Sequence, residues 1–329
     1  MQLDIDRRAL IFVCITLTLF LLFAIVVVVK AASLPPPVSA APANAYDTYA
    51  AYTVNATPSG GTRADLRRIL GVPDCPAGAE RISSTSENDL QRVVFDVCGF
   101  TLSGLFSPGE RGFVLVLHGT ASSAAAAWAD VDYMHGIARA LNAAGYAVFA
   151  PDILTRADGD VNAERNALDK RLRPFGVSLV GVELMAFTAV LDWYGGGAVY
   201  GISLGGYLAF HACALSDAVT ACGVSGYIED RAGKLAGDSD YPESYWNIPN
   251  SDYMTADGYL TRFDDVQVAR LIGAPLYVET GSNDPRAAVV SGVVERMRAA
   301  GVQVDSVIGD GGHETYREAF MEFLARRQS

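Results

Sequence analysis

The chain has little basic charge, since 25 lysines and arginines stand against 37 aspartates and glutamates in 329 residues, a net charge of −12. Nucleic-acid binding needs a basic patch to neutralise phosphates, so this balance argues against a nucleic-acid partner. It also argues against a domain that lies on anionic lipid. Only 19% of the residues are charged and 50% are hydrophobic, which excludes an intrinsically disordered chain.

Cysteine is also scarce. Five cysteines are too few for a disulfide-dense miniprotein, and none lies in a Cys-x-x-Cys pair or a Cys/His cluster with the spacing of a zinc site. We therefore expect neither a metal nor a cofactor. A disulfide between Cys75 and Cys98 is an open alternative, whereas Cys213 and Cys222 are interpreted as small core residues.

Charge is absent altogether from Ala9 to Val29, a run of 21 residues. A helix of that length is about 31 Å long, which matches the hydrocarbon core of a bilayer. Arg7 and Arg8 precede the run, so the positive-inside rule places the N-terminus in the cytoplasm and the rest of the chain outside. Residues 1–30 are therefore predicted to be a membrane anchor. The alternative is a signal peptide cleaved at Val38-Ser39-Ala40, which would make the protein secreted.

The composition changes after the anchor. Residues 31–61 hold five of the 14 prolines and many alanines, which predicts a linker. The alternative is a short helix, because Tyr46, Tyr49 and Tyr52 recur at a spacing of three. Residues 62–329 are long enough for one domain with its own core.

Within this domain, short apolar runs alternate with longer amphipathic stretches, as in a mostly parallel sheet covered by helices. The pattern predicts an α/β fold with about eight strands. One of the predicted helices runs from Ala125 to Ala143. A long insertion at about 225–265 separates two predicted strands, and loops of that length are usually functional, so we interpret it as a small cap.

A Gly-x-Ser-x-Gly sequence, Gly201 to Gly205, follows the predicted strand Ala198–Gly201 and opens the predicted helix Leu204–Leu215. A sharp turn from strand to helix raises the serine hydroxyl above the sheet, and the small residues let the backbone pass closely. The helix N-terminus favours negative charge nearby. Ser203 is therefore the predicted nucleophile.

A nucleophilic serine needs a histidine base and a carboxylate that orients it, and in this architecture they follow in the order Ser, acid, His. Of the four histidines, His313 is the one that lies far downstream, in a glycine-rich loop after a predicted strand. Asp284, at the end of the strand between, is the predicted acid. Asp310, Asp264 and Asp265 are its rivals.

The sequence His118-Gly119-Thr120 follows the buried strand predicted at Phe113–Leu117. Acyl transfer develops negative charge on the carbonyl oxygen, which two fixed N–H donors must meet. We assign these donors to the backbone of Leu204 and Thr120, and we interpret His118 as a support for the loop.

The insertion is rich in aromatic residues, of which Tyr227, Trp246 and Tyr253 are predicted to contact substrate. Such rings stack on sugars or aromatic acyl groups, but they equally form the small core of a cap, and both interpretations stay open. The acidic residues around them disfavour anionic substrates.

These motifs resemble those of the α/β-hydrolases, most closely the branch of dienelactone hydrolases and acetyl xylan esterases. The resemblance covers about residues 62–329. It is carried by the blocks Gly201–His211, Val224–Tyr227, Asn247-Ile-Pro, Phe263-Asp-Asp, Gly281–Pro285 and Gly311–Glu314.

The resemblance implies an α/β-hydrolase fold with helices on both faces of the sheet, and an esterase that uses Ser203, Asp284 and His313 on a small-molecule or carbohydrate ester. Dienelactone hydrolases themselves have cysteine where Ser203 stands, and a membrane anchor is not part of the usual pattern. Two other functions remain open. One is a serine peptidase of the prolyl-oligopeptidase type, although the sequence has no room for its gating domain before the first strand. The other is a non-catalytic, membrane-tethered binding protein.

Overall fold

The structure, a computed structural model, describes residues 58–120, 122–130, 132–153, 161–230 and 259–327. The predicted anchor, most of the linker and most of the insertion lie outside this part of the chain. Within it, no single helix has both the length and the apolar character needed to cross a membrane. The helices Glu164–Phe175 and Leu179–Trp193 meet that test only as a pair, with a bend of 86° between them.

Nine strands of the described residues form one sheet in the order β1-β2-β3-β5-β4-β6-β7-β8-β9. The pairs from β1 to β5 along this order are antiparallel, and the pairs from β5 to β9 are parallel. The strands are β1 (Ala79–Glu87), β2 (Leu90–Val97), β3 (Phe100–Ser107), β4 (Phe113–Leu117), β5 (Ala147–Pro151), β6 (Gly197–Ile202), β7 (Val219–Ser225), β8 (Leu276–Gly281) and β9 (Val304–Gly309).

The helices lie before, between and after the strands along the chain. They are α1 (Arg63–Ile69), α2 (Ala124–Trp128), α3 (Ile137–Ala143), α4 (Val161–Leu172), α5 (Leu179–Trp193), α6 (Leu204–Leu215), α7 (Tyr259–Arg262), α8 (Asp265–Ala269), α9 (Ala287–Ala299) and α10 (Arg317–Ala325), with a 3-10 turn at Arg173–Phe175.

Hydrophobic clusters cover both faces of the sheet. All five residues of β4 are buried, and they alternate between the two clusters because successive side chains of a strand point to opposite faces. Helices α5, α6 and α9 contribute to one cluster, and α3 and α10 contribute to the other. This burial on both faces explains why the central strands are continuous apolar runs. The predicted α/β fold with a mostly parallel, two-sided sheet is confirmed.

Two local predictions were wrong. Strand β1 was missed because its sequence is mostly polar: it is an edge strand with six of its nine residues exposed, and backbone pairing with β2 holds it. The helix predicted from Ala125 to Ala143 is two shorter helices, α2 and α3, separated at residues 129–136. In that segment His135 has a positive φ of 47°, which is incompatible with a continuous helix.

Two disulfides are present among the described residues. Cys75 and Cys98 join the segments before β1 and after β2, with Cα atoms 5.7 Å apart. Cys213 on α6 and Cys222 on β7 form the second, with Cα atoms 6.1 Å apart. The second bond corrects the interpretation of these two residues. They are buried as expected, but the packing of α6 against β7 also brings their sulfurs together.

The strand order places the candidate site. Strand β4 lies between β5 and β6. The chain therefore passes from β4 to β5 on one side and then crosses to β6 on the other side of β4. Ligands of open α/β sheets bind at such a switch point, outside the carboxyl ends of the strands. The segments that follow β4, β6, β8 and β9 all begin at the carboxyl ends of these parallel strands, and they carry the predicted site residues.

Candidate active site

Ser203 occupies a strained turn between the last residue of β6 and the first of α6. Its φ of 58° and ψ of −120° are rare for a residue with a side chain. The conformation is held by bonds from Ser203 N to Ser225 O (3.0 Å) and from Tyr207 N to Ser203 O (2.9 Å). Such strain occurs where a fold fixes a functional side chain.

The glycines of the motif are required by close backbone contacts. A Cβ at Gly205 would lie 2.2 Å from the carbonyl oxygen of Leu117, and a Cβ at Gly201 would lie 2.1 Å from the oxygen of Gly205. The start of α6 therefore rests directly on the end of β4. This contact brings Ser203 close to the loop that follows β4.

Asp284 and His313 form a bonded pair. His313 Nδ1 lies 2.8 Å from Asp284 Oδ2. Arg286 also binds this carboxylate, with Nε 3.1 Å from Oδ1 and Nη2 3.0 Å from Oδ2, and its Nη2 touches His313 Nδ1. Burial opposes ionisation of Asp284, but the hydrogen bonds from His313 and Arg286 outweigh it and hold its pKa well below the usual range. Asp284 is therefore a carboxylate at neutral pH.

The three rival acids lie elsewhere. Asp264 caps α8 by accepting from Gln267 N. Asp265 is buried and accepts from Glu229 N at 2.9 Å. Asp310 is exposed. Asp284 is the one of the four candidates that is bonded to His313.

Ser203 and His313 contact two consecutive residues: Ser203 contacts Ser225, and His313 contacts Gly226. Ser203 donates its backbone N–H to Ser225, as described above. The imidazole packs on the other residue, because a Cβ at Gly226 would lie 2.7 Å from His313 Cε1. No hydrogen bond joins Ser203 Oγ to His313 within the described ranges. In enzymes without substrate, this bond is commonly long and tightens in the complex.

The loop that carries His313 is anchored on both sides. Ser225 Oγ donates to Glu314 O at 3.2 Å. Thr315 donates its N–H to Tyr133 O at 2.8 Å. These bonds fix the backbone just after the imidazole, which is therefore positioned by the strands and the α2–α3 segment together.

A buried carboxylate, Glu279 in β8, completes this support. It is 1% exposed and accepts hydrogen bonds from the hydroxyls of Tyr200 and Tyr277 and from Tyr316 N. Burial raises the pKa of Glu279 even though these donors oppose the rise. Glu279 was not predicted from the sequence, although an acid inside an apolar strand is a usable signal of a polar network. Arg286 was missed too, and nothing in its local sequence indicates its role.

Of the two predicted oxyanion donors, Leu204 follows the nucleophile in sequence, and Thr120 follows a glycine that lies against it. Leu204 is the first residue of α6, so its N–H has no acceptor within the helix. Thr120 is partly exposed and follows Gly119, where a Cβ would lie 3.2 Å from Ser203 Cβ. His118 is fully buried, with Nδ1 2.8 Å from Gly119 O, and its Nε2 accepts from Ile153 N at 3.0 Å. Burial lowers the pKa of His118, so the imidazole is neutral and holds the loop.

The predicted substrate contacts are not assembled in the described residues. Tyr227 is 2% exposed, lies in the core beside the rings of Tyr207 and Phe210, and donates to Asp265 at 3.3 Å. Its ring thus packs in the core, which is one of the two roles left open for the aromatic residues of the insertion. Trp246 and Tyr253 lie outside the described residues.

No protein-family profile and no curated protein sequence matches the chain. Solved structures do match. Acetyl xylan esterase 1 from Thermoanaerobacterium sp. JW/SL YS485 is similar with a TM-score of 0.54 and 18% identity, over 85% of this chain and 98% of that one. The acetyl xylan esterase from Paenibacillus sp. R4 has a TM-score of 0.55 and 16% identity, over 84% and 98%.

A third match is the acylaminoacyl peptidase of Pyrococcus horikoshii, with a TM-score of 0.53 and 16% identity, over 75% of this chain and 42% of the peptidase. At identities this low, the structural similarity establishes a shared fold and nothing further. The chain therefore shares the fold of these solved structures, which agrees with the α/β-hydrolase fold expected from its motifs.

Proposed function

We propose that the protein is a serine hydrolase that cleaves carboxylic esters through an acyl-enzyme intermediate. One observation carries the proposal: an ionised Asp284 is bonded to the imidazole of His313, and this imidazole packs on Gly226, the residue after the one that binds the strained turn of Ser203. A carboxylate, an imidazole and a hydroxyl in this arrangement are the components of nucleophilic acyl transfer. The fold shared with acetyl xylan esterases supports the same chemistry.

In the first half of the reaction, Ser203 Oγ attacks the ester carbon while His313 Nε2 takes the hydroxyl proton. Asp284 holds Nδ1–H and stabilises the imidazolium. The N–H groups of Leu204 and Thr120 bind the carbonyl oxygen as it becomes negative. When the carbon–oxygen ester bond breaks, the imidazolium gives its proton to the departing alcohol. In the second half, His313 takes a proton from water as the water oxygen attacks the acyl carbon. The imidazolium then gives this proton to Ser203 Oγ as the bond between Oγ and the acyl carbon breaks, which releases the acid and restores the free serine.

The substrate class we propose is a short-chain acyl ester or an acetylated carbohydrate. The names of two structural matches support it, because both are acetyl xylan esterases. The net charge of −12 also favours a neutral substrate over an anionic one.

A peptidase is the second candidate, favoured by the match to an acylaminoacyl peptidase. Peptide amides and activated esters assayed side by side distinguish the two. Preferential hydrolysis of esters is expected, and a preference for the amides would favour the peptidase.

A fluorophosphonate probe, which phosphonylates activated serines, tests the assignment of the nucleophile. We expect labelling and ester hydrolysis by the wild type and loss of both in Ser203→Ala. Ser83→Ala, on the exposed edge strand β1, is the control that keeps both activities. Equal labelling of wild type and Ser203→Ala would reject the assignment. No turnover across an ester panel together with an unreactive Ser203 would favour a non-catalytic binding protein.

We also propose that the catalytic domain lies outside the cytoplasm, attached to the membrane by residues 1–30 or secreted after cleavage. The bonds Cys75–Cys98 and Cys213–Cys222 support this location, because structural disulfides persist in oxidising compartments.

A further inference from the structure

The hydroxyl of Tyr133 lies among the candidate catalytic groups, although the proposed mechanism does not use it. Tyr133 belongs to the segment between α2 and α3, where the sequence had predicted continuous helix. A Cβ placed on Gly119 would lie 2.9 Å from Tyr133 Oη and 3.2 Å from Ser203 Cβ. The phenol oxygen and the nucleophilic residue therefore border the same small space, next to the backbone that leads into Thr120.

Tyr133 also contacts the third element of the site. Its ring is nearly parallel to that of His313, with an angle of 24° and 6.5 Å between the centroids. Its backbone oxygen accepts the N–H of Thr315, in the histidine loop, at 2.8 Å. One residue thus lies between the nucleophile turn, the oxyanion loop and the histidine loop.

The phenol is available as a donor. Its oxygen is buried, and no acceptor for its proton lies within hydrogen-bond distance among the residues that the structure describes. Burial raises the pKa of Tyr133, although Ser122 and the Gly119 backbone lie close enough to oppose the rise. The phenol therefore keeps its proton at neutral pH. A buried hydroxyl proton without an acceptor is unfavourable, and an arriving acceptor oxygen relieves that cost.

We propose that Tyr133 Oη donates a hydrogen bond to the oxyanion of the tetrahedral intermediate, as a third donor beside the N–H groups of Leu204 and Thr120. This inference rests on the proposed function. The proton stays on the phenol throughout, so the step adds electrostatic stabilisation and no further transfer. The bond strengthens as charge develops on the oxygen, and it therefore lowers the barrier more than it increases the affinity for substrate.

The test is Tyr133→Phe, which removes one oxygen and keeps both the ring beside His313 and the backbone bond to Thr315. Tyr194→Phe is the matched control, because its hydroxyl is likewise buried and unpartnered in the described structure but lies in an aromatic cluster with Phe106 and Phe113. For Tyr133→Phe we expect kcat on a nitrophenyl acyl ester to fall about 100-fold, the typical effect of losing one oxyanion donor, with KM within about threefold. Tyr194→Phe should match the wild type.

Two further measurements separate this role from a structural one. A boronic acid that forms a tetrahedral adduct with serine should bind Tyr133→Phe about 100-fold more weakly, in parallel with kcat. The denaturation midpoint should be unchanged or higher, since an unpaired buried oxygen is removed. A variant with wild-type kcat and boronate affinity would overturn the proposal, and so would a loss of kcat that matches a lowered denaturation midpoint. A wild type inactive on every ester would instead refute the proposed function.

Discussion

Replacing Gly226 by alanine tests whether the imidazole of His313 works in the position described. A methyl group there would lie 2.7 Å from His313 Cε1 and 2.8 Å from Nδ1. Ordinary contacts between such atoms begin at about 3.5 Å, so the ring has to retreat by about 0.8 Å. Its bond to Asp284, now 2.8 Å, would then exceed the normal range if the ring moves along that bond.

The expected cost follows from these distances. A misplacement of about 1 Å at a reacting group reduces the rate about 100-fold, so kcat/KM of Gly226→Ala on a small activated ester should fall by about that factor. Stability should also fall, because Gly226 has a φ of +54°. Alanine in this left-handed region costs about 1–2 kcal/mol.

The assay compares ester hydrolysis and the rate of fluorophosphonate labelling with denaturant unfolding of the same samples. Gly176→Ala is the control: its φ is +72°, and nothing lies within 4 Å of an added Cβ. It should lose a similar amount of stability and no activity. If Gly226→Ala hydrolyses esters as fast as Gly176→Ala, the position of the imidazole next to Gly226 does not matter for catalysis, and the reasoning is refuted.

Two predictions concern stability. Because burial raises the pKa of Glu279, its contribution to stability is greatest below the ordinary glutamate pKa of 4.5 and is lost as pH rises through the raised value. The difference in unfolding free energy between the wild type and Glu279→Gln, measured in denaturant titrations, should therefore shift against the wild type from pH 5 to pH 8. A difference that stays constant over this range would contradict the prediction. The Cys75–Cys98 bond closes a loop with a sequence separation of 23. The double serine variant should unfold with about 3 kcal/mol less free energy by the loop-entropy relation, and an unchanged value would show that the bond contributes nothing.

The parts of the fold that sequence predicts are those whose signal is local. The apolar runs of β4 and β6 identify buried strands without reference to the rest of the chain. The turn at Ser203 is likewise predicted by five consecutive residues between a strand and a helix. The chain order then leads to His313 and Asp284, because the architecture restricts where the base and the acid can follow.

The parts of the fold that the sequence does not predict depend on contacts between distant segments of the chain. Strand β1 has no apolar alternation of its own and exists through pairing with β2. Arg286 is a charged residue at the start of a helix until folding brings it against Asp284 and His313. Tyr133 falls within the helix predicted from Ala125 to Ala143. In the structure that helix is interrupted there, and the backbone oxygen of Tyr133 accepts the N–H of Thr315 from the distant histidine loop.

The backbone conformation at Ser203 lowers the stability of the fold, while the proposed activity depends on the serine at this position. Glycine would adopt a φ of 58° and a ψ of −120° with less strain than any residue that has a Cβ. A library of variants selected only for resistance to heat should therefore accumulate glycine at this position. Each such variant would be more stable than the wild type and would not hydrolyse esters. Under the proposed function, the serine is retained because hydrolysis requires its hydroxyl, in spite of the strain in its backbone.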